Sequence, residues 1–108
     1  MANTFKLKTK ANVGVTTTAV YVAPGSTTTV VIGITASNIS GNNINVGIGI
    51  TRASADDVHL MKNVPIPQGS SFEFMQGNKI VLETTDTLTA KSDVNNSLDV
   101  ALTIMEIT

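Results

Sequence analysis

Residues 44–51 read INVGIGIT, a stretch in which an aliphatic residue occupies every second position. Successive side chains of a β-strand point to opposite faces of a sheet, so a period of two predicts a half-buried strand. Its inward face carries the aliphatic residues Ile44, Val46, Ile48 and Ile50. Its outward face carries Asn45, Gly47, Gly49 and Thr51.

The same alternation continues on both sides of this stretch. Upstream, TTTVVIGITAS (27–37) predicts a strand with Val30, Ile32, Ile34 and Ala36 on one face. Downstream, SLDVALTIMEI (97–107) predicts a long strand with Leu98, Val100, Leu102 and Ile104 on one face. In between, VHLMKNVPIP (58–67) contains two prolines, which cannot donate ladder hydrogen bonds, so it predicts an edge strand or an extended connection.

Composition agrees with an all-β fold in a single domain that spans residues 1–108. Thr, Val and Ile, the β-branched residues that pack well on pleated sheets, make up about a third of the chain. Turn residues recur every eight to twelve positions, and no amphipathic helix is evident. Eight or nine short antiparallel strands with this spacing indicate a β-sandwich or a jelly-roll-like barrel.

Three glycines form a predicted cluster. If the turn at residues 40–43 closes a hairpin, antiparallel pairing puts Gly33 roughly opposite Gly49, with Gly47 on the same face. Glycine weakens a strand, so a cluster suggests a close approach to the backbone by a neighbouring subunit, the second sheet or a ligand. The alternative is that these glycines permit bends or bulges in a twisted hairpin.

Charge is distributed unevenly along the chain. Residues 1–55 contain four basic residues and no acidic one, whereas residues 56–108 contain three Lys and eight acidic residues. Positions 11–51 carry no charge at all. Natural sheets usually place charges on exposed edges to block unwanted pairing, so this uncharged stretch predicts a contact surface. The alternative is that its Thr residues serve only to keep the surface soluble.

The N-terminal residues 1–10 predict a strand or arm. Lys6, Lys8 and Lys10 alternate with Phe5 and Leu7, and the alternation predicts that Phe5 points inward. Such a segment can add to the sheet edge of another chain, where its Lys face would suit the acidic half of a neighbour. Alternatively, it pairs within its own sheet.

Enzymatic chemistry has few residues available. The chain has no Cys or Trp, one His and one Tyr, which excludes a thiolate nucleophile, a multi-histidine zinc site and a disulfide framework. His59 lies near Asp56 and Asp57, but residues so close in sequence rarely form a triad, so His59 is interpreted as a polar residue of an edge strand. We therefore expect no catalytic residue, no metal and no cofactor.

Other binding partners are also limited by composition. A net charge of −1 and a single Arg do not favour nucleic acid, and no apolar run is long enough to span a membrane. The N-terminus lacks the pattern of a secretory signal, which predicts synthesis in a cytoplasm. For a glycan, Tyr21 is the one candidate aromatic platform, together with the loop residues Asn42, Asn43, Asn95 and Asn96.

Several segments resemble the small all-β virion proteins of tailed bacteriophages, especially those that infect cyanobacteria. These segments are MANTFKLKTKANVG (1–14), VYVAPGSTTTVVIGITASN (20–38) with its Tyr-x-x-Pro step, VPIPQGSSFEF (64–74), GNKIVLETTDTLTAKSD (77–93) and NSLDVALTIMEI (96–107). The resemblance implies a non-enzymatic protein, present in many symmetric copies, that is assembled into the virion in the host cytoplasm. It supplies no functional site residues.

Together, the residues and the resemblance predict a structural protein that works by assembly. The leading hypothesis is a capsid decoration or cement protein whose partners are copies of itself and other virion proteins, since many modest contacts stabilise a particle through multivalency. A neck, tail or baseplate component is the alternative, as is a tail or fibre module that binds a host-surface glycan. The predicted contact residues are Phe5, Lys6, Leu7, Lys8, Lys10, Gly33, Asn45, Gly47, Gly49 and Thr51.

Overall fold

A computed structural model describes residues 3–53, 55–74 and 79–108, so the first two residues of the predicted arm lie outside the described residues. These residues form nine strands: β1 (Asn3–Val13), β2 (Thr18–Val22), β3 (Thr28–Asn38), β4 (Ile44–Thr51), β5 (Val58–Ile66), β6 (Ser71–Phe74), β7 (Ile80–Leu82), β8 (Thr87–Ser92) and β9 (Leu98–Ile107). No helix that could cross a membrane is found in this part of the chain.

The strands form two antiparallel sheets packed face to face. The first, sheet A, has the order β1-β9-β3, with β6 and β7 both paired to the far side of β3. The second, sheet B, has the order β2-β8-β4-β5. The pairs β1·β9, β2·β8, β3·β6/β7 and β4·β5 are nested, as if one long hairpin had been rolled up, which is the topology of a jelly roll. The predicted β-sandwich of eight or nine strands is confirmed.

The hydrophobic core lies between the sheets and follows the period-two pattern of the sequence. In β4 the four predicted inward residues, Ile44, Val46, Ile48 and Ile50, are all buried. In β9 the same holds for Leu98, Val100, Leu102 and Ile104. Each fully buried aliphatic side chain of this size contributes about 1.5–3 kcal/mol to stability, so these two strands anchor the fold.

Strand β3 departs from its predicted alternation because it contains a bulge. Its pairing with β9 shifts register between Val31 and Gly33, which inserts Ile32 as an extra residue. A bulge shifts the alternation by one residue, so the residues beyond it lie on the opposite face from the one that a regular strand would give them. Val31 is therefore buried with Ile34, whereas Val30 and Ile32 are only half-buried, so the prediction that Val30 and Ile32 share the core face with Ile34 is wrong.

The predicted hairpin between β3 and β4 is also wrong. The two strands belong to different sheets, and the turn at residues 40–43 carries the chain across the edge of the sandwich. The buried side chain of Asn38 stabilises this crossing. Its Nδ2 donates hydrogen bonds to the carbonyl oxygens of Asn42 at 2.7 Å and Ile66 at 3.0 Å, and its Oδ1 accepts one from the Ser40 amide. A side chain thus replaces the backbone ladder that a hairpin would provide.

Strand β5 lies at one edge of sheet B, which confirms the prediction made from its prolines. Its pairing with β4 shifts register twice, between Val46 and Ile48 and again between Ile48 and Gly49. Asn63 has a positive φ of 54°, and Pro65 has no backbone N–H. Bulges and prolines of this kind prevent another strand from adding to an edge.

Candidate assembly surface

The predicted contact residues lie on three separate surfaces. Phe5, Leu7 and Gly33 lie on the outer face of sheet A, while the Lys residues of β1 lie on the opposite side of the same strand. The β4 residues lie on the outer face of sheet B, on the far side of the molecule: Asn45, Gly47, Gly49 and Thr51. Gly33 and Gly49 are therefore in different sheets, and the predicted cluster of three glycines is wrong.

An apolar row crosses the outer face of sheet A from edge to edge. In the strand register Phe5 is paired with Met105, Met105 with Val30, and Val30 with Val81. Both ends of the row are open, because Phe5 is 70% exposed and Val81 is 57% exposed. Directly opposed apolar side chains on one sheet face contact each other, so the four residues form a continuous stripe.

Leu7 widens this stripe at the β1 edge. It is 66% exposed and lies two residues from Phe5 on the same face of β1. Solvated faces of antiparallel sheets usually carry polar residues. This row of sheet A is instead apolar from one edge to the other, which is typical of an interaction surface, whereas the row of Thr9, Ala101, Thr35 and Glu73 on the same face is mainly polar.

The prediction that Phe5 points inward is wrong. The pairing of β1 with β9 places Lys6 beside buried Ile104 and Lys8 beside buried Leu102, so the Lys side of β1 shares the face that looks toward sheet B. Because β1 is the last strand of its sheet, that side is little covered, and Val13 is the one buried residue among its described positions. Alternation fixes which residues share a face, but not which face is buried.

Lys6 takes part in a polar network that ties β1 to both sheets. Its Nζ lies 2.7 Å from Oε1 of Glu106, a buried residue of β9. The other oxygen of Glu106 accepts a hydrogen bond of 2.6 Å from the Tyr21 hydroxyl, which also lies 2.8 Å from Oγ1 of Thr29. Tyr21 is therefore buried and engaged, which rules it out as the exposed platform for a glycan.

This network shifts the ionisation of both of its acidic groups. Hydrogen bonds from Lys6 and then from Tyr21 lower the pKa of Glu106 below its ordinary value. Burial, followed by the hydrogen bond to the Glu106 carboxylate, raises the pKa of Tyr21 to about 12. Tyr21 is thus a protonated donor to an ionised acceptor across the physiological range, as in other charge-assisted hydrogen bonds.

On sheet B, Gly49 leaves room for the bulged backbone of β5, whereas Gly47 has only an ordinary contact with that strand. A Cβ on Gly49 would lie 3.0 Å from the carbonyl oxygen of Val58, and one on Gly47 would lie 3.5 Å from that of Met61. The bulged backbone of β5 therefore approaches β4 where side chains are missing. For Gly49 this agrees with the alternative that these glycines permit bulges, although the partner strand is β5 rather than the β3 of the predicted hairpin; Gly47 and Gly33 show no such close approach.

The same region forms a groove on sheet B with a volume of about 390 Å³. Its lining includes Gly47 and Gly49 together with polar side chains, among them Asn45, Asp57, His59, Lys62, Asn63 and Asp93. Asp57 and Asp93 accept backbone hydrogen bonds from Arg52 and Asn45. Over residues 3–53, 55–74 and 79–108, no three His, Asp or Glu side chains are grouped so that they could hold a metal ion.

Three residues of the apolar row, Val30, Val81 and Met105, are not among the contact residues that the sequence predicts. A signal for Met105 is present in β9, where the positions between the core residues include Ala101, Met105 and Ile107. The outer face of β9 is therefore partly apolar, with Asp99 and Thr103 as its polar positions, whereas a solvated face of an antiparallel sheet is usually polar. Val30 becomes part of the row only through the bulge at Ile32, which the sequence does not indicate.

No protein-family model matches the chain, and no curated protein is significantly similar to it in sequence. In structure it is similar to a chain from Bacillus endospore appendages, described as a novel family of disulfide-linked pili. The TM-score is 0.59 at 13% identity, and the match covers 99% of this chain and 87% of the other. The two chains share a β-sandwich fold over nearly their whole length.

Proposed function

We propose that this chain is a non-enzymatic structural subunit that assembles with copies of itself through sheet A. The observation that carries the proposal is the apolar row on the outer face of this sheet, which ends in the exposed side chains Phe5 and Val81. Burying a Phe, Leu or Val side chain contributes about 1.5–3 kcal/mol, so covering this row in an assembly is favourable.

The resemblance to phage virion proteins supports a more specific role. We infer that the subunit belongs to the virion of a tailed bacteriophage, where it decorates the capsid shell, with a neck, tail or baseplate position as the alternative. The fold is compatible with this role, since viral capsid domains use the jelly roll, but lectins and enzymes of the cupin type use it too. Without cysteine this chain cannot form disulfide links such as those named for the pili, so we infer that its copies associate through non-covalent contacts.

Sedimentation velocity of the purified chain over a range of concentrations tests self-assembly. We expect the weight-average mass to rise with concentration above that of the 11.3 kDa monomer. Replacing Phe5 and Leu7 by Glu should shift this rise to higher concentration. A Val22→Glu variant is the matched control, because Val22 is 53% exposed but lies in sheet B. A wild-type chain that stays monomeric throughout would overturn the proposal.

Quantitative mass spectrometry of purified phage particles tests the virion role. A copy number in proportion to the major shell protein supports decoration of the capsid, whereas a copy number equal to that of one ring of subunits supports the neck or tail. Absence of the chain from particles grown in cells that synthesise it would contradict the virion assignment while leaving self-assembly as a separate question.

A second candidate function is glycan binding by a tail or fibre module, and the groove on sheet B is the observation that favours it. Asn45, Lys62 and Asn63 supply polar groups there, although an aromatic platform is lacking among its lining residues. Selective binding on a glycan array that is lost in a Lys62→Ala variant would support this function, and a blank array would exclude it for the glycans tested.

A further inference from the structure

The two edges of sheet A differ from those of sheet B in their regularity. In sheet B, β5 is bulged and contains Pro65, and β2 is five residues long with a register shift between Ala19 and Tyr21. In sheet A, β1 pairs regularly with β9 from Asn3 to Lys10, and the opposite edge consists of two short strands, β6 with four residues and β7 with three, which pair with β3 without a register shift. Within the described residues, the strands at both edges of sheet A have one neighbour each, so their outer sides are open to another strand.

The directions of these strands fit each other. β1 and β3 are both antiparallel to β9 and therefore run the same way, whereas β6 and β7 are antiparallel to β3. When two copies lie side by side with their sheets facing the same way, β1 of one copy meets β6 and β7 of the other in antiparallel orientation. Such a contact extends sheet A by strand addition.

The rows of side chains fit as well. The row that begins at Phe5 ends at Val81, and the row that begins at Thr9 passes through Ala101 and Thr35 to end at Glu73. Continuing both rows into a second copy places Phe5 beside Val81 and Thr9 beside Glu73. Two exposed apolar side chains then cover each other, and the apolar stripe becomes continuous across the junction.

Charge favours this junction over a symmetric one. β1 carries Lys6, Lys8 and Lys10 and no acidic residue, whereas β6 and β7 carry Glu73 and no basic residue. Antiparallel pairing of β1 with β1 would place Lys side chains opposite each other on the same face, which is unfavourable. Pairing of β1 with β6 and β7 avoids this repulsion, because neither β6 nor β7 carries a basic residue, although Glu73 lies on the outer face and the lysines lie on the inner one.

We propose that copies of this chain join head to tail, with the β1 edge of one copy paired to the β6–β7 edge of the next and Phe5 beside Val81 at the junction. The inference deepens the proposed function and rests on it. Because the two edges are different surfaces, the contact is heterologous, and repeating it produces a closed ring or an open filament.

Cysteine cross-linking tests the junction directly, because the chain has no cysteine of its own. Phe5 and Val81 lie three strand spacings apart within one copy, about 14 Å, so cysteines at both sites cannot join within a chain. Under mild oxidation a Phe5→Cys/Val81→Cys variant should form a ladder of dimers, trimers and longer species on non-reducing gels. The Phe5→Cys/Val22→Cys control should not.

A mixing experiment separates head-to-tail from symmetric contacts. A Phe5→Glu/Leu7→Glu variant blocks one edge and a Val81→Glu variant blocks the other, so each alone should associate roughly tenfold or more weakly than the wild-type chain. Mixed together, they keep one intact β1 edge and one intact β7 edge and should form dimers that grow no further. Circular dichroism confirms that both variants are folded, and Val22→Glu should assemble normally.

The possible outcomes distinguish the two proposals. A wild-type chain that does not self-associate overturns the proposed function and this junction together. If the wild-type chain self-associates but the Phe5→Cys/Val81→Cys variant forms no ladder of cross-linked species, only the junction is overturned. Strong dimer formation by a Phe5→Cys variant alone would also overturn it, because that result would indicate β1·β1 pairing. Normal assembly of the Val81→Glu variant would likewise exclude the β7 edge.

Discussion

The hydroxyl of Tyr21 donates a hydrogen bond of 2.6 Å to the carboxylate of Glu106, although Tyr21 lies in sheet B and Glu106 in sheet A. Lys6 contacts the other carboxylate oxygen at 2.7 Å, and Thr29 contacts the same Tyr21 hydroxyl at 2.8 Å. The Glu106 carboxylate of β9 therefore joins β1 and β2 directly, and the Tyr21 hydroxyl adds β3 through Thr29. This network adds to the pairing of β1 with β9, which holds the exposed strand β1 against the core.

Removal of the Tyr21 hydroxyl tests the strength of this connection. A Tyr21→Phe variant leaves the buried Glu106 carboxylate and the Thr29 hydroxyl with one partner fewer, which costs about 1–3 kcal/mol. Urea denaturation should show this loss in the free energy of unfolding. Thr103→Val removes a hydroxyl from an exposed position of β9 and serves as the control. Equal effects of the two substitutions would contradict a structural role for the bond.

Acid should weaken the network. Because the pKa of Glu106 is lowered in the folded chain, its contribution to stability is fully present above the ordinary value of about 4.3 and is lost as the pH falls through the folded value. We expect the wild-type chain to exceed a Glu106→Gln variant in stability at pH 7 and the difference to shrink at pH 3. Denaturation at both pH values measures this difference.

Glu73→Gln provides the control for the acid experiment, since Glu73 is exposed and has no bonded partner among the described side chains. It should differ little from the wild-type chain in stability at either pH. A stability gap between the wild-type chain and Glu106→Gln that persists unchanged at pH 3 would show that the carboxylate charge is not what stabilises the site.

Two neighbouring lysines of β1 should behave differently in hydrogen exchange. Lys6 forms an ion pair with Glu106, whereas the Lys8 side chain forms no hydrogen bond or ion pair within the described residues and acts on the Glu106 carboxylate only through a weaker coulombic attraction that helps to lower its pKa. A partly exposed ion pair contributes up to about 1 kcal/mol, so Lys6→Ala should speed the exchange of β1 amides by up to about fivefold. Lys8→Ala should leave these rates near those of the wild-type chain. Faster exchange in both variants alike would indicate a general charge effect.

Much of the fold could be predicted because strands β4 and β9 alternate regularly between apolar and polar or small residues. Ile48 and Leu102 are fully buried where this alternation places them. The features that could not be predicted depend on contacts between residues that are far apart in the sequence. The bulge at Ile32 and the crossing at Asn38 come from contacts with β9 and with the 66–70 region, far away in sequence. A period of two defines the faces but leaves the choice of partner strand open.

For the candidate surface too, the sequence predicts which residues share a face but not where that face lies. Phe5 and Leu7 are correctly predicted to share a face of β1, but the sequence assigns that face to the core. The error has a physical cause, because β1 is an edge strand and its Lys6 gains an ion pair with Glu106 on the inner side. Val81 joins the same row only through the pairing of β7 with β3, which no local pattern indicates.

Gly49 and Gly33 provide a matched pair of substitutions that separates packing within the chain from contact between chains. A Cβ on Gly49 would lie 3.0 Å from the Val58 carbonyl oxygen, which the β5 backbone holds in place, whereas a Cβ on Gly33 meets nothing within 4 Å. Gly49→Ala should therefore destabilise the monomer by about 1–3 kcal/mol, as overpacking commonly does. Gly33→Ala should stabilise it by up to about 1 kcal/mol, because alanine is favoured over glycine within a strand.

Urea denaturation at concentrations where the chain is monomeric measures both effects. If Gly49→Ala is as stable as the wild-type chain, β5 does not need the glycine, and the bulge explanation fails. If Gly49→Ala is as stable as the wild-type chain but defective in assembly, the glycine instead allows another subunit to approach. The assembly surface would then lie on sheet B rather than on sheet A. We expect Gly49→Ala to lower the stability of the monomer while the chains that remain folded assemble normally. That result would support sheet A as the surface through which copies associate.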